Sequence, residues 1–363
     1  QRYRAEYKRD PLTYAAAFYD GMHMLAGSIA QWPLRTVTAD DSGIEAIRES
    51  DFLAPFDLST GPLIRATLVS VQPQNGGGQR SLLILTAHHI VCDGWSFGVV
   101  VGEFCRLYEG VRLPAPAAYA GYAASEASRR GDPERAGQLD WWKQKFAIVP
   151  DPCLLPADRP RPAQPQYGAD MIQVDLPAEL TEKLHRFCAE RRVTPYHVAL
   201  TAFRILVFRL SGQSDFIIGT PSAAQISRGL PDLIGHCVQF LPLRFSQHSG
   251  ATAESLLQNT RNEVLEASEN DGVTYGEILE NLPHLPAAQR RTLVPLSFSF
   301  EAMPRPLAFD GLTGSVEMNV KRRLSFEAAF YVQHSEQAVR LVCAWQTALY
   351  DTSTIRRWLG HYQ

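Results

Sequence analysis

Between Leu154 and Pro165 four prolines fall within twelve residues, at 156, 160, 162 and 165, just after Pro150 and Pro152. Proline fixes φ and has no N–H to donate, so neither a helix nor a central strand runs through such a stretch. The chain is divided there. At 363 residues it is also too long for one hydrophobic core, which favours two lobes of roughly 150 to 200 residues each. The boundary is placed at 155/156, giving an N-terminal lobe 1–155 and a C-terminal lobe 156–363. Apolar residues make up 45% of the chain, with 17 Phe, 13 Tyr and 6 Trp, enough to fill two cores and to exclude disorder throughout.

In the first lobe the stretch before residue 50 gives only a helix expected over Leu12–Leu25 and an extended piece over Pro33–Val37. Ile64–Val71 and Ser81–Ala87 are apolar and β-compatible, and Asn75-Gly76-Gly77-Gly78 between them is turn chemistry, so the pair is expected as a hairpin. The second strand runs out at His88. Ser96 is then expected to cap a helix whose Phe97, Val100, Val101, Phe104, Leu107 and Tyr108 share one face until Gly110 closes it. Asp140-Trp141-Trp142-Lys143 sits in a short helical stretch before the prolines.

The second lobe opens with a helix over Glu179–Arg191 and a stronger one with Thr194 as cap, Pro195 at its first position and Gly212 at its end. A buried strand is expected at Asp215–Gly219 and a helix at Ala253–Ser268. Strands follow near Leu296–Glu301, Ser325–Val332 and Ala338–Gln346, then a closing helix from Thr352 to Tyr362, capped by Thr or Ser. Both halves mix helices with sheet, an α/β (α+β) class, with no repeat of 20 to 50 residues.

Charge and cysteine narrow the function classes. Thirty-five Lys and Arg against 38 Asp and Glu leave −3, no electrostatic footprint for nucleic acid or an anionic membrane. The six cysteines, at 92, 105, 153, 188, 237 and 343, form no CxxC pair and no metal-like spacing with His, the pattern of buried thiols in a reduced, cytoplasmic protein with no metal. No apolar run approaches the roughly 20 residues that cross a bilayer, and Gln1-Arg2-Tyr3-Arg4 opens no signal peptide. Gly76–Gly78 lacks the Lys-Ser or Lys-Thr of a phosphate loop, so no nucleotide cofactor is expected.

The informative stretch is Ala87-His88-His89-Ile90-Val91-Cys92-Asp93-Gly94-Trp95-Ser96, two histidines where an apolar strand empties into a loop. One reading is a polar loop with Asp93-Gly94 as a turn. The other is chemical: a strand end is rigid and can aim a ring, and a neutral imidazole can accept a proton at cellular pH. On that reading His89 is the base, while Asp93 folds back under the loop and needs a cation. Arg65, in Pro62-Leu63-Ile64-Arg65 on the preceding strand, is the candidate, and Gly94 allows the tight backbone that follows. Cys92 is read as a small packing residue, Trp95 as core, and His236, on an apolar stretch, as a satisfied buried histidine.

His88-His89-Ile90-Val91-Cys92-Asp93-Gly94 resembles the HHxxxDG signature of nonribosomal peptide synthetase condensation domains, and it is also similar to motifs of chloramphenicol acetyltransferase and dihydrolipoyl acyltransferases. Further matches decide among these. Phe56-Asp57-Leu58-Ser59-Thr60-Gly61-Pro62-Leu63-Ile64-Arg65 is similar to FDLxxGPLxR, Tyr119-Ala120-Gly121-Tyr122-Ala123 to YxDYA with Gly121 for Asp, and Leu155-Pro156-Ala157-Asp158-Arg159-Pro160-Arg161-Pro162 to LPxDRPRP. Gly212 to Pro221 resembles the strand into the floor loop, Ile234 to Arg244 resembles IGxxVNxLPLR with Gln239 for Asn, and Thr354-Ile355-Arg356-Arg357-Trp358 the closing helix. Asn270 to Gly276 and Arg290 to Leu296 keep only parts of HQDxPFE and RDxSRxPL. The opening RHExLR motif is not recognisable, so the first lobe is expected to be incomplete at its start.

The resemblance implies two chloramphenicol acetyltransferase-like lobes in a V shape with the active-site tunnel between them. It also implies an acyltransferase that forms an amide from a carrier-bound acyl or peptidyl thioester and a carrier-bound aminoacyl acceptor. Both substrates arrive on phosphopantetheine arms, from an upstream acyl or peptidyl carrier protein and a downstream peptidyl carrier protein, among neighbouring synthetase modules. It makes His89 the catalytic residue, as base, as amine positioner or as stabiliser of the tetrahedral intermediate, with His88, Asp93 and Gly94 in structural support, the Gly94 amide near the oxyanion. The first His of the motif is present where cyclising members carry Asp, which argues for simple amide formation. Gly235-His236-Cys237-Val238 and Pro221-Ser222-Ala223-Ala224-Gln225 resemble members that accept a polyketide chain. Lys321-Arg322-Arg323 is a solvated face or a dock for an acidic carrier. A stand-alone acyltransferase using coenzyme A and a non-catalytic docking domain are the alternatives.

Overall fold

The protein is described from a computed structural model, which describes residues 34–72, 80–247, 250–286, 290, 293–304, 307–309, 312–319 and 321–363. The helix expected over Leu12–Leu25, residue 33 of the extended piece and the Asn75–Gly78 turn lie outside the described residues. The chain divides into two compact units. One comprises residues 1–127, 223–238 and 306–319, and the other 128–222, 239–305 and 320–363.

In the first unit β1 (Leu34–Ala39) lies parallel to β2 (Ile64–Val71), and β2 is antiparallel to β3 (Arg80–Ala87), in the order β1-β2-β3. The hairpin follows the sequence expectation. Parallel neighbours need a crossover, supplied by α1 (Asp41–Leu53), a helix the sequence reading did not foresee; its N-cap Asp40 accepts from Gly43 N at 2.9 Å. Ala66 to Val69 form an unbroken buried run because both sheet faces are covered. Val69, Val71 and Ile84 cluster with Ile44 of α1, while Ala66 clusters with Val100 and Phe104 of α2 (Gly94–Tyr108). The N-cap of α2 is Asp93 and not Ser96: the Asp93 carboxylate accepts from Ser96 N at 2.8 Å, leaving Ser96 inside the first turn. Gly110, at φ +79°, follows the end of the helix. Next comes α3 (Tyr119–Ser128), whose Tyr122 is buried with Leu233 and Cys237.

The second unit holds a six-stranded sheet of β4 (Ala169–Asp175), β11 (Val339–Gln346), β10 (Ala328–His334), β7 (Leu296–Ala302), β5 (Asp215–Ala223) and β6 (Val238–Ser246), in that order. Strands β10 and β7 are parallel and β10 and β11 antiparallel, while β8 (Leu307–Phe309) and β9 (Leu312–Gly314) pair antiparallel in a two-stranded sheet of their own. β6 was not foreseen as a strand, since Pro242 interrupts its pattern; it lies at an end of the strand order, where a missing N–H is tolerated. Helix α4 (Pro133–Lys145) is followed in sequence by α5 (Ala178–Arg191) and α6 (Pro195–Ser211). As expected, α6 is capped by Thr194, which accepts from His197 N at 3.3 Å, and ends at Gly212 with φ +72°. The short α7 (Ala224–Ser227) belongs to the first unit; α8 (Ala253–Glu269), α9 (Tyr275–Glu280) and the closing α10 (Thr352–Tyr362) belong to the second. The N-cap of α10 is Asp351, not Thr or Ser, because Asp158 already holds Asp351 N at 2.8 Å and Thr354 Oγ1 at 2.9 Å.

One core cluster includes Trp142, Phe203, Phe298, Trp345 and Trp358, all buried. The proline-rich stretch that suggested a boundary at 155/156 lies inside this unit. Cys153 and Leu155 are buried in the same cluster, and Trp142 of α4 donates to Asn270 O at 2.9 Å. No described helix is long and apolar enough to cross a membrane.

Candidate active site

The site is built within the first unit, where β3 ends and α2 begins. His88 leaves the strand with its N–H bonded to Leu63 O at 2.8 Å, and Val91 N returns to His88 O at 3.0 Å, a turn that folds the loop on itself. His88 Nδ1 accepts from Ile90 N at 3.2 Å, and its ring stands edge-on to Phe56. The His88 ring is thus turned toward its own loop and Phe56. His89, one residue on, is exposed.

Asp93 anchors the loop. Its carboxylate is 2% exposed and accepts from Ser96 N at 2.8 Å and Ser96 Oγ at 2.7 Å on one oxygen, from Cys237 N at 3.0 Å on the other, and from Gln225 Nε2 at 3.3 Å. Its own N–H donates to Gly235 O at 3.2 Å. Ser96 Oγ, in turn, accepts from Gly235 N at 3.0 Å. One carboxylate therefore caps α2, where the helix dipole favours negative charge, and ties the loop to residues 225–237.

The expected Asp93–Arg65 pair does not form. Arg65 belongs to the loop before β2: it donates to Asp51 O at 2.7 Å and Ala54 O at 2.8 Å, sits 3.7 Å from the Asp51 carboxylate and stacks over Phe56 at 3.8 Å. Asp51 and Thr86 are themselves hydrogen-bonded, so Arg65 braces α1 against the sheet. Asp93 needs no cation because neutral donors fill its lone pairs. Gly94 is not needed for backbone strain either. It is the first residue of α2 without a positive φ, and a Cβ there would meet nothing within 4 Å, so the space beside the exposed loop is open.

Two further expectations change. Trp95 is 44% exposed, its Nε1 donating to Pro231 O at 2.7 Å, and is not core. His236 is exposed, with its Nδ1 3.1 Å from Nδ1 of His89 and 3.0 Å from His89 O. Gln225 and Tyr119 also enter the site, Tyr119 OH donating to His236 O at 3.0 Å. Cys92 stays a packing residue: burial, with Asp93 beside it, pushes its thiol up to about 12, which removes it as a nucleophile. Arg322 and Arg323 are exposed. No group of three or more His, Cys, Asp or Glu able to hold a metal ion occurs among the described residues.

Gly235 gives a direct test of this packing. A Cβ at that position would fall 2.1 Å from Tyr119 Cδ2. Gly235→Ala is expected to displace Tyr119 and cost about 1–3 kcal/mol by overpacking. A lowered denaturation midpoint, with Tyr119→Ala relieving part of the loss in the double variant, is the expected result.

The Condensation domain family model matches residues 29–363, and the chain belongs to that family. It is 29% identical over 332 residues to tyrocidine synthase 3 of Brevibacillus parabrevis, covering 91% of this chain and 5% of the relative. It is 28% identical over 330 residues to malpibaldin synthetase of Mortierella alpina, covering 89% of this chain and 6% of that one. The chain thus spans a small fraction of these relatives. Among solved structures, the starter condensation domain of rhizomide synthetase RzmA with C8-CoA superimposes with a TM-score of 0.80 at 17% identity, covering 98% of this chain and 85% of that one. The condensation domain of the monacolin K polyketide synthase MokA does so with 0.78 at 20%, covering 92% and 78%. At these identities the likeness establishes the fold, which is that of condensation domains.

Proposed function

We propose that this chain is the condensation domain of a nonribosomal peptide or hybrid polyketide–peptide synthetase, an acyltransferase that joins a carrier-bound acyl or peptidyl thioester to a carrier-bound aminoacyl amine. The amine nitrogen attacks the thioester carbonyl carbon, the C–S bond breaks, and the phosphopantetheine thiol leaves with the amine's proton. His89 acts on the reacting atoms; His88 and Asp93 hold the loop, Gly94 leaves space beside it, and Arg65 supports the neighbouring α1 segment. The observation that carries this reading is an exposed His89 on a loop fastened by a buried, fully bonded Asp93, in a member of the condensation family.

The partners are an upstream acyl or peptidyl carrier and a downstream peptidyl carrier within a cytoplasmic assembly line, where the chain meets neighbouring modules as its relatives' lengths suggest. The MokA likeness supports a polyketide donor. A second reading, direct use of acyl-CoA, is favoured by the rhizomide structure, which is in complex with C8-CoA.

Intact-protein mass spectrometry of a single turnover tests both. An acyl-loaded donor carrier and an aminoacyl-loaded acceptor carrier are mixed with the protein, and a parallel arm offers acyl-CoA with a soluble amine. Movement of the acyl mass onto the acceptor carrier is expected. Transfer in the acyl-CoA arm alone would overturn the carrier-dependent reading and establish the second.

A further inference from the structure

The contact between His89 and His236 fixes where the hydrogens of both rings lie. His236 Nδ1 is 3.0 Å from His89 O and 3.1 Å from His89 Nδ1. A carbonyl oxygen only accepts, so His236 Nδ1 carries a hydrogen; the opposite tautomer would set two lone pairs against each other. The same N–H is shared with His89 Nδ1, which must then be the bare nitrogen, and the hydrogen of neutral His89 sits on Nε2. The ring planes are turned 74° to one another with centroids 5.1 Å apart, which brings the two Nδ1 atoms together. Among the described residues Nε2 of His89 has no partner, and the ring is exposed.

His236 is itself held from both sides. Its carbonyl accepts from Tyr119 OH at 3.0 Å, Gly235 is bonded to Ser96 and Asp93, and Cys237 N donates to Asp93 at 3.0 Å. The Asp93 network thus places His236 as firmly as it places His89. A base acting through Nε2 needs a bare Nε2, and this arrangement supplies the opposite.

We propose that His236 is a positioning residue that locks His89 in the Nε2–H tautomer, so that neutral His89 offers a hydrogen-bond donor to the thioester carbonyl oxygen as it becomes an oxyanion. This rests on the function proposed above. No proton leaves His89 in the step; the amine's proton departs with the thiol.

The test labels the histidines with ¹⁵N and reads long-range ¹H–¹⁵N correlations about two pH units above the ordinary imidazole pKa, with His89→Ala assigning the His89 signals. Wild type is expected to show the Nε2–H pattern at His89. His236→Phe, which keeps the ring and loses the N–H, is expected to shift it to a tautomer mixture and slow single-turnover transfer about tenfold. His236→Asn, whose side-chain N–H falls near the position of Nδ1, is expected to restore the pattern and bring transfer within about threefold of wild type. An Nδ1–H pattern in wild type, or an unchanged His89 pattern in His236→Phe, overturns the proposal. The tautomer is read in the protein alone, so absence of carrier-dependent transfer would count against the functional reading without blurring this one.

Discussion

His89→Ala is expected to slow single-turnover condensation by about 10²–10³-fold, the size of losing one donor aimed at a developing oxyanion. Its stability is expected to stay within about 0.5 kcal/mol of wild type, because the ring is exposed and the loop is fastened through Asp93 and the backbone of His88. The separation of the two readouts is what assigns the effect to chemistry. His89→Gln sharpens it: a glutamine carries an N–H near the position of Nε2 and no basic nitrogen, so a donor role predicts about tenfold more residual transfer than in His89→Ala. Equal loss in the two variants points to a base. Full transfer in His89→Ala, with an intact fold and loaded carriers, would remove His89 from the reaction altogether.

The strand–loop–helix frame of this site was legible because periodicity and punctuation agree there: an apolar run to Ala87, polar residues, then an apolar helical face from Phe97. The same agreement made α6 readable, with Thr194-Pro195 at one end and Gly212 at the other. What joins distant parts of the chain was not legible. Pairing Asp93 with Arg65 followed from needing a cation for a buried carboxylate, whereas backbone N–H groups and amides serve as well, and Cys237 N lies 144 positions away. The apolar neighbours of His236 argue for burial, yet Leu233, Gly235 and Cys237 are the buried ones and His236 points the other way. The signal that could have found it is its place in Gly235-His236-Cys237, within a motif that the family resemblance ties to the site. β6 and α1 escaped for local reasons, a proline in the one and weak periodicity in the other. Trp95, apolar by type, spends its indole N–H on Pro231 O at the surface, which residue type alone does not reveal.

Asp93→Ala is the variant expected to cost most stability in the first unit, by about 3–5 kcal/mol. The carboxylate caps α2, a contribution of roughly 0.5–2 kcal/mol. It also satisfies Cys237 N, Ser96 Oγ and Gln225 Nε2, and a buried donor left without a partner costs about 1–3 kcal/mol. Gln225 already has an unpartnered, buried Oε1, so it has little else to bond. Asp93→Asn should fall between: its oxygen can still cap Ser96 N, but its NH₂ then faces the Cys237 N–H, donor against donor. Because the chain has two compact units, a single global midpoint mixes them, and amide hydrogen exchange is the cleaner measurement. Faster exchange is expected at Cys237, Gly235 and the first turn of α2 in Asp93→Ala, with the six-stranded sheet of the second unit unaffected. Transfer should fall with it, since both histidines hang from this carboxylate. Unchanged protection at Cys237 would mean that the chain holds the loop by some other means, and that Asp93 does not build the site.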